Sequence, residues 1–151
     1  MIPVPFADEH ADHIAAWHYE PPYDFYDAAS DPVDAQLLYD LAARHLYRGV
    51  VDEAGELIGW WYLVPDGDEV EVGLGLRPDL TGRGVGRRFV ELELEYARRE
   101  WSPARFRLYV AAFNERARKL YERLGFVEVS RHVRTFDLFG EVEFLKMESD
   151  A

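Results

Sequence analysis

The segment RPDLTGRGVGRRF combines several arginines with the alternating glycines Gly82, Gly84 and Gly86. Glycines let a ligand approach the main chain without a Cβ in the way. A helix is expected to begin within this segment, and the free N–H groups and the dipole of its first turn attract anions. Arg83 and Arg87 could add charge-assisted hydrogen bonds. The segment therefore indicates an anion site, although a tight turn with its arginines in solvent explains it equally well.

The spacing of these glycines excludes two familiar phosphate loops. A Walker loop needs a lysine after its last glycine, and a dinucleotide loop needs G-x-G-x-x-G, which Arg87 interrupts. Two further glycines, Gly73 and Gly75, lie in the preceding predicted strand, where glycine usually marks a bulge or a close backbone approach. Strand and loop together predict one channel, which an extended chain ending in phosphates would fit.

The composition limits the classes of protein to which this chain can belong. Its 151 residues, 48% of them hydrophobic, suffice for one packed domain, and no apolar run is long enough to span a bilayer. A net charge of -12 argues against nucleic acid as a partner and favours cationic partners such as amines. Cysteine is absent, and the N-terminal MIPVPFADEH lacks the pattern of a secretory signal. We therefore expect a cytoplasmic protein without nucleic-acid or membrane partners.

Helical periodicity and capping residues predict four helices that position these residues. Asp8 is a candidate N-cap for a helix to about Trp17, and Asp31 with the following proline opens a second helix to about His45. A third helix starts near Gly84, and its predicted inner face consists of Val85, Phe89, Leu92 and Tyr96. The fourth follows the N-cap Asn114 and stops at Gly125, with the inner face Ala117, Leu120, Tyr121 and Leu124.

Strand patterns lie at residues 2–6, 46–52, 56–64, 69–76, 105–110, 126–136 and 141–147. The turns EAGE and PDGD join three of these strands into an antiparallel meander. Strands that alternate with helices in this order predict one α/β domain over residues 1–151, with a mixed sheet and crossover helices.

Two motifs resemble those of the GNAT superfamily of N-acetyltransferases. The family pattern [RQ]-x-x-G-x-[GA] corresponds to residues 81–86, where Thr81 departs from its first position. The pattern N-x-x-A-x-x-[LF]-Y-x-x-x-G-F corresponds to residues 114–126. The resemblance implies the GNAT fold, a mixed and mostly antiparallel central sheet of about seven strands flanked by about four helices.

The resemblance also implies that the anion is the pyrophosphate of acetyl-CoA, used as a cosubstrate without a metal. The implied binding groups of the loop and of the fourth helix are Gly82, Arg83, Gly84, Val85, Gly86, Arg87 and Asn114. The pantetheine arm would pair with the strand at Leu74, Gly75 and Leu76. Which of Arg83, Arg87 and Lys119 reaches the other phosphates stays open.

Tyr121 is the candidate acid that protonates the departing thiolate, because a phenol is neutral at pH 7 and the family motif has its tyrosine here. Its helical spacing alone would favour a core residue. For the base we favour Glu71, since some members have a catalytic glutamate on this strand. Glu69 on the same face, a water relay and a purely solvent-facing acidic edge remain alternatives. The strand before Asn114, which carries the base in other members, has Tyr109 instead.

The segment WHYEPPYDFY is the candidate wall of the acceptor site, with Trp17, Tyr19, Tyr23 and Tyr26. Aromatic faces beside Glu20 and Asp24 suit a small cationic amine or a peptide N-terminus, but a hydrophobic anchor for a mobile segment fits as well. Trp60 and Trp61 point to opposite faces of a strand, so one should be core and the other could line the site. His10 and His13 lack a third metal ligand and are expected at the surface.

Three hypotheses follow from the sequence. The favoured one is an acetyl-CoA-dependent N-acetyltransferase acting on a small-molecule or peptide amine, with assembly as a homodimer left open. The second is a GNAT-fold module that senses an acyl-CoA without catalysis. The third is an interaction domain in which the glycine segment is only a turn.

Overall fold

The computed structural model describes residues 1–151 and contains seven strands and four α-helices. The strands are β1 (Ile2–Pro5), β2 (Tyr47–Val51), β3 (Leu57–Asp66), β4 (Glu69–Leu76), β5 (Arg105–Ala111), β6 (Val127–Phe136) and β7 (Gly140–Asp150). The helices are α1 (Asp8–Ala15), α2 (Pro32–Leu37), α3 (Val85–Trp101) and α4 (Glu115–Arg123). The strand order β1-β2-β3-β4-β5-β7-β6 confirms the predicted mixed α/β fold.

The pairing of β4 with β5 is the parallel part of the sheet. β1, β2 and β3 pair antiparallel, as do β5, β7 and β6. The parallel register between β4 and β5 covers three residue pairs and ends at Glu71 opposite Arg107. β4 nevertheless continues to Leu76, so its second half extends beyond its register with β5.

The chain forms two compact units, one of residues 1–62 and 74–85 and the other of residues 63–73 and 86–151. The first unit has a core cluster of Phe6, Ala11, Ile14, Leu38, Tyr47 and Leu57. The second unit buries Phe89, Val90, Leu94, Phe106, Leu108, Phe126, Leu145 and Met147. The chain crosses from one unit to the other within β3, within β4 and at the start of α3.

The first two helices differ from their predicted bounds. Ala7, not Asp8, is the N-cap of α1, and the His10 imidazole accepts a hydrogen bond from the Ala7 N–H at 3.0 Å. That imidazole packs against Gly49 and is only 12% exposed, so the predicted surface position of His10 is wrong. α2 starts after Asp31 as predicted but ends at Leu37, because the Asp40 side chain accepts from the Ala42 N–H and favours a turn there.

The last two helices begin where the sequence predicts. Asn114 caps α4 by accepting a hydrogen bond from the Ala117 N–H at 3.1 Å, and Gly125 ends the segment with φ of 96°. The inner face of α3 is rotated from the predicted one, because its fully buried positions include Glu93 while Leu92 and Tyr96 are only half-buried. None of the helices has the length and apolarity needed to cross a membrane.

Candidate functional site

The glycine loop turns sharply between β4 and α3. A short 3₁₀ turn, Pro78–Leu80, follows β4, and the Thr81 hydroxyl closes it by donating to the Pro78 carbonyl at 2.7 Å. Gly82 and Gly84 then adopt φ of 72° and 79°, a left-handed backbone that disfavours other residues. A Cβ added at Gly84 would meet no atom within 4 Å, so the loop main chain is open to its surroundings.

The arginines of this segment divide into different roles. Arg77 donates to the Leu57 carbonyl and pairs with Asp79 at 2.7 Å, which fixes the end of β4. Arg87 pairs with Glu91 one turn along α3, at 2.9 Å. The hydrogen bond from Arg77 lowers the pKa of Asp79, and the charge of the exposed Arg83 adds a smaller effect in the same direction. Arg83 and Arg87 therefore remain accessible cations beside the loop, while Arg77 is structural.

The third glycine of the loop accommodates another helix. A Cβ on Gly86 would lie 3.4 Å from Leu120 Cδ2, so the first turn of α3 lies close to α4. Tyr121 follows Leu120, is half-buried, and makes an edge-to-face contact with Phe126 at 5.9 Å between ring centroids. Glycine at this position thus brings the helix that carries Tyr121 close to the start of α3.

The second half of β4 is covered by aromatic side chains of the first unit. A Cβ on Gly75 would lie 2.2 Å from Trp60 Nε1, so the missing side chain makes room for the indole. The Tyr19 hydroxyl donates to the Leu76 carbonyl at 2.7 Å, and burial followed by the charge of Asp27 raises the pKa of this phenol. The prediction of a close approach at Gly75 is correct, but the approaching group is Trp60.

The first half of β4 carries carboxylates that share an arginine of β5. The Arg107 guanidinium contacts Asp66, Glu69 and Glu71 at 3.1, 3.3 and 3.4 Å. Glu69 and Glu71 lie on one face of the strand, opposite the buried Val70 and Val72, as the alternation predicts. Glu71, the candidate base, is therefore part of an ion-pair network in this structure.

Only part of the predicted aromatic acceptor segment lies at a common recess. A recess of about 440 Å³ in the first unit is lined by Glu9, His10, His13, Trp17, Gly55, Glu56, Leu57 and Arg77. Of the four candidate acceptor residues, only Trp17 lines it. Tyr19 instead binds the end of β4, Tyr23 is half-buried and Tyr26 is exposed. Phe25, which the sequence reading passed over, anchors the segment as its buried residue. Trp61 is core and Trp60 is half-buried, as expected for neighbours on opposite faces.

Glu93 is the residue that sequence reasoning missed. It lies on the inner face of α3, is fully buried, and neither carboxyl oxygen has a hydrogen-bond partner. Burial raises its pKa well above 4.5, and the nearby Gly73 N–H opposes this shift without cancelling it. The sequence did carry a signal for this burial. Glu93 lies four positions after Phe89 and four before Ala97, so it shares a helix face with these two buried residues.

Residues 8–126 match the sequence profile of the Acetyltransferase (GNAT) family. The chain belongs to this family. The match covers both motifs, from the glycine loop through α4, and the predicted resemblance is confirmed.

Individual relatives share different portions of this GNAT chain. A mycothiol acetyltransferase of Propionibacterium freudenreichii is 43% identical over 88 residues, which cover 54% of this chain and 28% of the relative. A spermidine N(1)-acetyltransferase of Vibrio cholerae is 28% identical over 138 residues, which cover 89% of this chain and 78% of the relative. The chain thus spans less than a third of the length of the mycothiol acetyltransferases that it matches.

Solved structures support the fold. A chimera based on the spermidine N-acetyltransferase of Vibrio cholerae superposes with a TM-score of 0.73, covering 99% of this chain and 96% of that one, at 21% identity. Another chimera of the same enzyme has a TM-score of 0.64 at 27% identity and covers 76% of this chain and 69% of that one. The GNAT fold is therefore common to these structures and this chain.

Proposed function

We propose that this protein transfers an acetyl group from acetyl-CoA to the amino group of a small cationic amine or a peptide N-terminus. The observation that carries the proposal is the glycine loop, whose left-handed Gly82 and Gly84 expose main chain just before α3 within the family match. Family membership supports acetyl transfer as the reaction, and the acidic chain supports a cationic acceptor.

The coenzyme fits the residues of the loop and of β4. N–H groups from Gly82 to Arg87 would hold the pyrophosphate at the positive end of the α3 dipole. Arg83 and Arg87, both exposed, would add charge, and Thr81 would not, because its hydroxyl already donates within the turn. The segment Leu74–Leu76 would pair with the pantetheine arm, since it extends beyond the register with β5. Asn114 would act indirectly, as the cap of α4.

Acetyl-CoA supplies the acetyl group as a thioester. In the transfer the amine nitrogen bonds to the acetyl carbon as the carbon–sulfur bond breaks, one proton leaves the nitrogen and one reaches the sulfur. Tyr121 would hold that second proton on its phenol oxygen and deliver it to the departing thiolate. Its half-buried position on α4 leaves part of the side chain accessible for this role.

We propose Glu71 as the group that takes the proton from the amine. Its carboxylate is 26% exposed and shares Arg107 with Glu69, so the network could pass a proton to either carboxylate or to a bridging water. A Glu71→Gln variant with the wild-type pH profile of kcat/KM would remove Glu71 from this role.

The acceptor is proposed from the chemistry of the first unit. The recess that contains Trp17 also presents the carboxylates of Glu9 and Glu56, and an aromatic face beside carboxylates suits a cation. The wall of the acceptor site would continue from this recess along Tyr19, Tyr23 and Tyr26. A relative named for spermidine, a polycation, supports this choice.

Self-association is proposed as well. A spermidine N-acetyltransferase of Vibrio cholerae, 27% identical and with a TM-score of 0.63, is described as dodecameric. We expect at least a homodimer, which the molar mass in solution would reveal.

Amine-dependent release of free thiol from acetyl-CoA tests the function. We expect turnover with polyamines and N-terminal amines, little with neutral or acidic amines, and a kcat at least tenfold lower for Tyr121→Phe, in line with the loss of a general acid. Coenzyme binding without turnover on any amine would instead support the acyl-CoA sensor. Tyr121→Phe with the wild-type kcat would remove the acid role alone.

A further inference from the structure

The N-terminus of α1 is closed by a histidine. His10, the third residue of the helix, accepts a hydrogen bond through its Nδ1 from the Ala7 N–H at 3.0 Å. In a capping box a glutamate or glutamine has this role, three residues after a serine or threonine. Ala7 has no side-chain acceptor, so the bond to His10 is the side-chain part of the box that α1 retains.

This hydrogen bond requires a neutral imidazole. Because Nδ1 accepts, the ring proton is on Nε2, which lies 3.9 Å from the exposed Glu9 carboxylate. A second proton would bind Nδ1 and make it a donor that faces the Ala7 N–H. Two donors cannot form a hydrogen bond with each other, so protonation of His10 breaks the cap.

The packing around the ring also opposes protonation. A Cβ on Gly49 of β2 would lie 3.0 Å from Nδ1, and the centroid of the Phe6 ring is 5.7 Å from that of the imidazole. The side chain is 12% exposed, and burial lowers the pKa of His10 more than the charge of Glu9 raises it, while His13 lowers it further. The neutral ring is therefore the form that this packing favours.

The same imidazole lines the recess that is proposed for the acceptor. The titratable and charged groups of this recess are Glu9, His10 and His13 of α1, Glu56 before β3 and Arg77 after β4. Loss of the cap would loosen the first turn of α1, which carries Glu9. A protonated His10 would also add a positive charge to a recess proposed for a cation. Both effects oppose the binding of an amine.

We propose that His10 is a positioning residue whose neutral imidazole holds the first turn of α1 at the wall of the acceptor recess, and that its protonation releases this turn and weakens amine binding. This inference rests on the proposed function. A polyamine stays charged from pH 5 to pH 8, since an alkylammonium group has a pKa of about 10.4, so a change in affinity over this range originates in the protein. His10 does not contact the reacting atoms.

Two substitutions separate the hydrogen bond from the proton. His10→Gln keeps an acceptor where capping boxes use glutamine, but it does not titrate, so it should bind spermidine at pH 8 within about threefold of wild type. His10→Leu removes the acceptor, and it should lower the unfolding temperature and raise the Kd for spermidine about fivefold, as expected for a lost cap. His13→Gln removes the other histidine of the recess without touching the cap. It is the matched control and should keep the pH dependence of wild type.

The experiment combines calorimetric titration with spermidine and the ¹H–¹⁵N signals of the His10 ring and the Ala7 amide, between pH 8 and pH 5. His10 should be the Nε2–H tautomer at pH 8, and its protonation should move the Ala7 amide proton upfield as the bond is lost. Where half of the molecules carry a protonated His10, the ratio of the wild-type Kd to that of His10→Gln should be about twice its value at pH 8, because half of the wild-type molecules then lack the cap.

Three results would overturn the inference while leaving the proposed function intact. They are a His10 that stays neutral down to pH 5, an Ala7 amide that does not follow the titration of His10, and the same pH dependence of the Kd in wild type and His10→Gln. A wild-type protein that bound no spermidine at pH 8 would also overturn it. Only the absence of turnover with every amine would overturn the proposed function.

Discussion

The two halves of β4 are held by different kinds of interaction. From Glu69 to Glu71 the strand is in register with β5, and its carboxylates share the guanidinium of Arg107. From Gly73 onward it lies beyond that register, and uncharged groups contact it: the Trp60 indole over Gly75 and the Tyr19 hydroxyl on the Leu76 carbonyl. The charged pair Arg77–Asp79 follows only after its last residue. The charged half is in register with β5, whereas the neutral half includes Leu74–Leu76, the segment proposed to pair with the coenzyme.

This difference predicts separate sensitivities. Interactions between partly exposed charges weaken as salt is added, whereas steric fit and neutral hydrogen bonds respond little to it. Substitutions in the first half should therefore have salt-dependent effects on stability. Those in the second half should have effects on stability and coenzyme binding that salt leaves unchanged.

The largest expected effect is that of Gly75→Ala. Its Cβ would lie 2.2 Å from Trp60 Nε1, so the indole must leave its place. We expect a loss of about 2–3 kcal/mol in the free energy of unfolding, at the upper end for overpacking. Denaturant unfolding measures it. In a double-mutant cycle, Gly75→Ala should cost much less in a Trp60→Ala background. An equal cost in both backgrounds would show that Trp60 is not the reason for the glycine.

The next effect is a dependence of stability on pH, and it arises from Glu93 of α3. Burial raises the pKa of Glu93 above 4.5, so the folded protein keeps a proton that the unfolded chain releases. Wild type should therefore lose stability relative to Glu93→Gln as pH rises above 4.5, until the folded-state pKa is passed. Urea unfolding of both proteins between pH 4 and pH 8 measures the difference, and a difference independent of pH would mean that the folded protein ionises Glu93 normally.

In the charged half, Arg107→Gln should cost about 1–2 kcal/mol, because three carboxylates lose a shared partner whose side chain is 18% exposed. The cost should shrink in 1 M salt, where repulsion among the carboxylates is screened. Arg105→Gln is the control: Arg105 pairs with Glu69 but is 47% exposed, so its loss should cost less. Equal costs for the two arginines at low salt would contradict the network.

The smallest expected effect is the loss of one neutral hydrogen bond in the second half. Tyr19→Phe removes the donor to the Leu76 carbonyl and should cost about 1 kcal/mol at any salt concentration. Tyr39→Phe, which removes an exposed hydrogen bond of the same length to Asp12, should change stability little. If the two substitutions proved equivalent, the bond from Tyr19 would have no special role at the end of β4.

Local features of the fold were predictable from the sequence because they depend on neighbouring residues. Asn114 as a cap, Gly125 as a stop and the hairpins around β3 each need only a few adjacent positions. The same holds for the glycine loop, although the sequence could not separate Gly82 and Gly84, which bend the chain, from Gly86, which accommodates α4.

The features that escaped prediction depend on partners distant in sequence. The room that Gly75 leaves is filled by Trp60, and the hydroxyl of Tyr19 binds a carbonyl 57 residues away. Glu93 escaped prediction because charged residues are rarely buried in a core without a partner. Asp8 was mistaken for a cap because the actual cap, Ala7, carries no side-chain acceptor.

The most direct test of the central claim, that the glycine loop and β4 hold acetyl-CoA, is thermal unfolding with acetyl-CoA, with NAD and ADP as controls. A ligand that binds only the folded protein stabilises it by about 2.7 kcal/mol at a hundredfold excess over its Kd. The account predicts a rise in the unfolding temperature with acetyl-CoA that neither NAD nor ADP matches. No shift at millimolar acetyl-CoA would contradict it and leave the loop as a turn between β4 and α3.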